Sequence, residues 1–226
     1  MSATPPPRHD NDKSQPPPSS DVARPHGRTA HWSAGRRFVL LNVGLLIYGV
    51  GLAAMINANV GLAPWDAFHV GLARHVPWLT VGLASILAGL VCQVCALLFL
   101  KMPIGVGSVL NMILIGLYMD LFRGALPHPQ EALTAWAWFV GGILMSGLAT
   151  GTYIASHFGA GPRDSVVLGL ANRTGRSVKS LRTVMELSVL ALGWLMGAKV
   201  GWGTLVFALT FGPAMSASLA LYGLRR

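Results

Sequence analysis

Charge is scarce in this chain, and so is cysteine. Among 226 residues there are 17 Lys and Arg, 8 Asp and Glu, and 2 Cys. Charged residues make up 11% of the chain, where a soluble domain carries roughly a quarter. Residues 38–65 and 200–224 hold no charge, and 132–162 hold none apart from His157. Runs that long are expensive in water and suit the bilayer core, which excludes a soluble domain. A cleaved signal peptide is single and N-terminal, so it cannot account for several runs in series. Cys92 and Cys95 form C-x-x-C inside an apolar run. A zinc site needs about four ligands, and no His or Cys lies nearby in sequence, so the pair is read as small packing residues. Also missing are a nucleophile beside a base, a His/Asp/Glu metal spacing and a Gly-Lys-Ser/Thr phosphate loop. The chain is therefore not read as an enzyme, and no cofactor or metal is expected. An ATP-driven pump would need a partner chain to supply the missing loop.

What the chain does have is apolar sequence in blocks. Six membrane spans are expected, at roughly 37–58, 79–100, 103–123, 132–157, 183–200 and 201–222. The fifth is the weakest, with Glu186 in its first turn and Lys199 at its far end. The fold class is all-α, a polytopic helical membrane protein. Residues 1–35 are rich in Pro, Ser and charge, cannot bury enough apolar surface to offset ordering, and are expected to be a disordered cytoplasmic tail.

Basic residues set the orientation. With the N-terminus inside, the inner face receives Arg8, Lys13, Arg24, Arg28, Arg36, Arg37, Lys101, Arg163, Arg173, Arg176, Lys179, Arg182, Arg225 and Arg226. The outer face receives only Arg74, Arg123 and Lys199. This asymmetry obeys the positive-inside rule and places both termini in the cytoplasm. The net charge of +9 follows from the same rule and points to no nucleic acid.

Two short segments interrupt the spans. "GLAPWDAFHVGLA" (61–73) returns ninety-eight residues later as "GAGPRDSVVLGLA" (159–171). Gly61, Pro64, Asp66, Gly71 and Leu72 answer Gly159, Pro162, Asp164, Gly169 and Leu170. Downstream, "GVGSVLNMILIG" (105–116) answers "GWGTLVFALTFG" (201–212) after a two-residue deletion. Each half then holds three spans and one Gly-x-x-Pro-x-Asp segment, with repeats at 36–130 and 131–226. Three is odd, so the second half enters the membrane from the opposite side, which is the inverted-repeat plan of many transporters. Pro suits the first turn of a helix, Asp there complements the helix dipole, and Gly71 and Gly169 permit close packing. The segments read either as half-helices lining a substrate cavity or as capped interfacial helices that the fold needs twice.

Ionisable groups at membrane depth are costly and draw attention. Glu186 and Arg182 are one turn apart, either an interfacial ion pair or a substrate and coupling site. Asp120, with Arg123 close by, reads as an interface residue. Asn42, Gln93 and Asn111 sit centrally in their spans and suit interhelical hydrogen bonds. His69, one turn from Asp66, could relay protons, or be structural like His75. Trp65, Trp78, Trp136, Trp138 and Trp202 fall at span ends, as an interfacial belt would.

The segments "GLAPWDAFHVGLA", "GVGSVLNMILIGLYMDL", "GAGPRDSVVLGLA" and "LRTVMELSVLALGWLMG" resemble the YczE/YyaS/YitT group of bacterial integral membrane proteins, nearest the YczE branch. The likeness runs over about residues 36–222. It implies a bacterial cytoplasmic (inner) membrane location and makes Pro64, Asp66, His69, Asn111, Asp120, Pro162, Arg163, Asp164, Arg182 and Glu186 motif positions. Ala63 departs from the pattern, which has Gly there. The group brings no substrate with it. The expected function is a secondary transporter for a small solute, an anionic one if the helix N-termini and Arg163 set the preference. The alternative is a membrane scaffold or accessory subunit, with the basic 163–182 loop meeting a cytosolic partner or anionic lipid. A homo-oligomer fits either.

Overall fold

The structure is a computed structural model that describes residues 27–159 and 161–224. Among the described residues all regular structure is helical: α1 (Ala34–Ala58), α2 (Pro64–His75), α3 (Val81–Leu98), α4 (Val106–Ala125), α5 (Ala132–Ile154), α6 (Pro162–Thr174), α7 (Val178–Leu195) and α8 (Trp202–Leu221). Five of these, α1, α3, α4, α5 and α8, are long and apolar enough to cross a membrane. The chain is thus a polytopic helical membrane protein in contact with the bilayer. The span expected at 183–200 is instead helical from Val178, because the Ser177 hydroxyl caps the helix by accepting the Ser180 N–H. That earlier start brings Lys179 and Arg182 onto α7 beside Glu186, and α7 is not among the five.

Small residues set the core. Gly44 lies against Tyr153, and Gly51 against Gly142 and Ser146, so α1 and α5 pack closely and run antiparallel. A Cβ on Gly142 would stand 2.6 Å from the Gly51 carbonyl, which fixes this crossing to glycine. Such close backbone approach is how helices associate where lipid tails are as apolar as the side chains. Outside this pair, α4 runs parallel to α1, with Gly49 on Tyr118 and the Asn57 amide donating to the Arg123 and Leu126 carbonyls. Likewise α8 runs parallel to α5, with Gly147 on Ala214 and Gly151 on Ser218. The short helices cross over between halves. Gly71 of α2 packs on Met196 after α7, and Gly169 of α6 packs on Leu100 after α3.

The hinges entering the short helices match in detail. The Gly107 N–H donates to the Phe158 carbonyl at 3.0 Å, and the Gly203 N–H donates to the Val60 carbonyl at 3.2 Å. Asn59 and His157 both adopt left-handed backbone, φ 54° and 58°, a conformation non-glycine residues seldom take.

One packing is not matched. Asp120 ties α4 to α3, its Oδ1 accepting the Gly82 N–H at 2.8 Å and its Oδ2 accepting the Thr80 hydroxyl. Gly116 of α4 rests on Gly82 and Ile86. In the second half Ser216 stands in the place of Asp120, α7 and α8 do not pack closely as α3 and α4 do, and a Cβ on Gly212 would meet nothing within 4 Å.

Of the expected tail 1–35, residues 1–26 lie outside the described residues. Residues 27–33 are docked rather than loose. The buried Thr29 hydroxyl donates to the Ala155 carbonyl at 2.6 Å, and the Arg28 N–H donates to Tyr222 at 2.9 Å. The segment thereby ties the start of α1 to the ends of α5 and α8.

Candidate functional site

The N-termini of α2 and α6 open onto one cavity of about 340 Å³. Both helices start on proline after a residue whose side chain offers no cap, Ala63 and Gly161. The first-turn N–H groups therefore keep their partial positive charge directed outward. The cavity lies at the middle of α1, at Tyr48 and Leu52, and at the middle of α8, from Phe207 to Met215.

Asp66 and Arg163 belong to opposite halves and meet across His69. Arg163 stacks over the Trp65 ring at 4.2 Å, and its Nη2 lies 3.3 Å from both Ser85 Oγ and His69 Nε2. A guanidinium only donates, so Nε2 is the acceptor and the imidazole carries its proton on Nδ1. Nδ1 faces Asp66 Oδ1 at 4.0 Å. His69 and Asp66 are 1% and 2% exposed, and Asp66 Oδ2 has no hydrogen-bond partner among the described residues. A buried acceptor left in that state is costly, and it lines the cavity.

The second cluster is paired. Arg182 donates from Nε to Glu186 Oε1 at 3.0 Å and sets Nη1 3.5 Å from Asp164 Oδ1. It joins α7 to the first turn of α6, so the i,i+4 pair of α7 is also a link between helices.

Of the sequence-selected residues, Pro64, Asp66, Asn111, Pro162, Arg163, Asp164, Arg182 and Glu186 line the cavity. His69 lies behind the wall and reaches it through Arg163. Asp120 is elsewhere, holding the N-terminus of α3 to α4, and its partners are Thr80 and Gly82 rather than Arg123. Trp65 is no belt residue, since Arg163 stacks on it in the cavity wall. Trp78 and Trp202 remain exposed at helix ends, while Trp136 and Trp138 pack against the core. Asn42 bonds the Phe38 carbonyl of its own helix, and His75 likewise pairs with Gly71. Gln93 is buried, and neither of its amide atoms has a partner among the described residues. Sequence reading missed Ser85 and the two tyrosines, Tyr48 and Tyr153, which meet edge to face at 6.2 Å in the cavity wall. Nothing in their local sequence marks them. No group of three or more His, Cys, Asp or Glu able to hold a metal occurs among the described residues.

The comparisons with known proteins agree with a membrane protein. The membrane protein YczE of Bacillus subtilis (strain 168), named as uncharacterised, is 35% identical over 184 residues, 81% of this chain and 85% of its own length. An uncharacterised protein of Haemophilus influenzae is 32% identical over 192 residues, 83% of this chain and 85% of its own. The Bacillus subtilis protein YyaS is 28% identical over 174 residues, 75% and 86% of the two chains. No solved structure matches. Residues 35–219 match the model of DUF6198, a family of unknown function, and the chain belongs to that family.

Proposed function

We propose that this protein is a secondary transporter for a small solute with an anionic group, working by alternating access between two inverted halves. The observation that carries the reading is the shared cavity. Two short helices from opposite halves direct uncapped N-termini into it, and the charged residues of both halves line it. Discontinuous helices meeting near the middle of a helical bundle are a recurrent way to build a solute site. Inversion is supported by the antiparallel α1–α5 pair and by the matched hydrogen bonds at Gly107 and Gly203. On this reading α7 is a sixth crossing, its charges tolerated because Arg182 and Glu186 face the cavity. On the same reading both termini lie in the cytoplasm and the membrane is a bacterial inner membrane, and the distribution of basic residues supports the orientation.

In the carrier, Arg163 and the two helix N-termini hold the anionic group of the solute. Asp66 and the Arg182–Glu186 pair change partners as the halves exchange. The test is thermal unfolding of the purified chain against a panel of small metabolites rich in organic anions, beside Asp66→Asn, Asp164→Asn and Glu186→Gln. A ligand at about 100 times its Kd stabilises by roughly 2.7 kcal/mol. The expected result is a concentration-dependent shift that the variants lose. No shift with any compound, with all three variants folded, counts against a solute site and favours a scaffold whose basic α6–α7 loop meets a partner.

A further inference from the structure

The cavity has two kinds of wall, and α7 and α8, which both line it, are not closely packed on one another. Its charged floor comes from α2, α6 and α7. Its opposite wall is apolar, with Phe207 and Phe211 stacked at 4.9 Å on α8 and Met185 on α7 beside them. The corresponding gap in the first half is shut by Gly116 on Gly82 and by the Asp120 tie. In the second half Gly212 faces open space and Ser216 replaces the aspartate. Both α7 and α8 line the cavity without packing closely on one another, so the boundary between them is the side from which the bilayer could reach the polar floor.

The floor also states what it lacks. Arg163 has no carboxylate within ion-pair reach among the described residues, because Asp164 and Glu186 are taken by Arg182. Asp66 is among the residues lining the cavity, is 2% exposed, and its buried Oδ2 has no hydrogen-bond partner among the described residues. A cation with no carboxylate and a carboxylate oxygen with no donor among the described residues flank the same imidazole.

Resting on the carrier reading, we infer that the solute is a zwitterionic amphiphile entering sideways from the bilayer. Its anionic group meets Arg163, its ammonium meets Asp66, and its alkyl chain leaves between α7 and α8 past Gly212 and Phe211. A hydrophobic chain lowers its free energy there because both the apolar wall and the lipid beyond it are free of charge.

The test measures affinities of the full chain in a maltoside detergent by thermophoresis. The amphiphilic probe is lysophosphatidylethanolamine below its micellar concentration. Glycerophosphoethanolamine supplies the headgroup without the chain, and a monoacylglycerol supplies the chain without charge. Lysophosphatidylethanolamine is expected to bind at least tenfold more tightly than either. Gly212→Leu, at a position where a Cβ meets nothing within 4 Å, should weaken it tenfold or more while weakening glycerophosphoethanolamine far less. Ala208→Trp repeats the block from another lining position on α8, so misfolding of one variant does not decide the matter. Arg163→Gln should weaken both zwitterions. Equal binding of the monoacylglycerol, or unchanged lysolipid binding in both blocked variants, overturns the inference. No binding of any probe overturns it as well. Glycerophosphoethanolamine binding as tightly as the lysolipid sinks only the sideways route and leaves a carrier of water-soluble solutes standing.

Discussion

Single side chains decide how the two clusters differ. Arg182 satisfies two carboxylates at once, while Asp66 holds an oxygen with no hydrogen-bond partner among the described residues. Arg182→Ala should therefore cost little stability, about 1 kcal/mol, since such partly exposed pairs are weak. It should nonetheless abolish solute binding, because Asp164 and Glu186 then repel an anion. Thermal unfolding with and without ligand separates the two effects. Arg163→Ala removes the Trp65 stack and the contacts to His69 and Ser85, and a desolvated cation–π pair alone is worth about 2 kcal/mol. A melting temperature lowered by several degrees is expected, with Arg163→Lys recovering only part of it. The motif residues were legible in sequence because Gly, Pro and Asp report on backbone and dipole at their own positions. Trp65 was misread because a tryptophan near a span end looks like a belt residue, and its partner Arg163 lies in the other half of the chain. Ser85, Tyr48 and Tyr153 carry no local mark at all.

Elements are held by contacts that sequence shows only as composition. Gly141 and Gly142 are neighbours, yet a Cβ on Gly141 meets nothing while one on Gly142 meets the Gly51 carbonyl and Met55. Gly141→Ala should be neutral or stabilising by up to about 1 kcal/mol through helix propensity. Gly142→Leu should separate α1 from α5 and prevent monodisperse folding, as size-exclusion chromatography would show. Asp120→Ala frees the start of α3 and should cost about 0.5–2 kcal/mol, the range of a lost helix cap. Combined with Thr80→Val the cost should fall short of the sum, since both changes remove the same bond. Helix number and most boundaries followed from apolar runs, Pro and Gly. The early start of α7 did not, because it depends on one serine cap within a charged stretch. The docking of residues 27–33 was equally hidden, resting on one buried threonine in a sequence of loop composition.

At the scale of the whole molecule, the repeated Gly-x-x-Pro-x-Asp segment is what suggests a duplicated plan, and the antiparallel packing of α1 on α5 is compatible with it. The different packing of α3 on α4 and of α7 beside α8 was not visible, since it involves Asp120 bonding the start of α3 where the aligned residue is Ser216. An inverted carrier has a second state in which α7 and α8 close and α3 leaves α4, with the Asp120 tie as the bond that must break. A scaffold has no such state. The most direct test needs no solute. Met112, which lines the cavity from α4, is replaced by cysteine in a chain whose Cys92 and Cys95 are serine, with Gln130→Cys as an exposed loop control. An impermeant thiol reagent is then applied to oriented membranes from each side in turn. Alternating access predicts that Met112→Cys reacts from both sides while Gln130→Cys reacts from one. Reaction of Met112→Cys from a single side, or from neither while the control reacts, would contradict it.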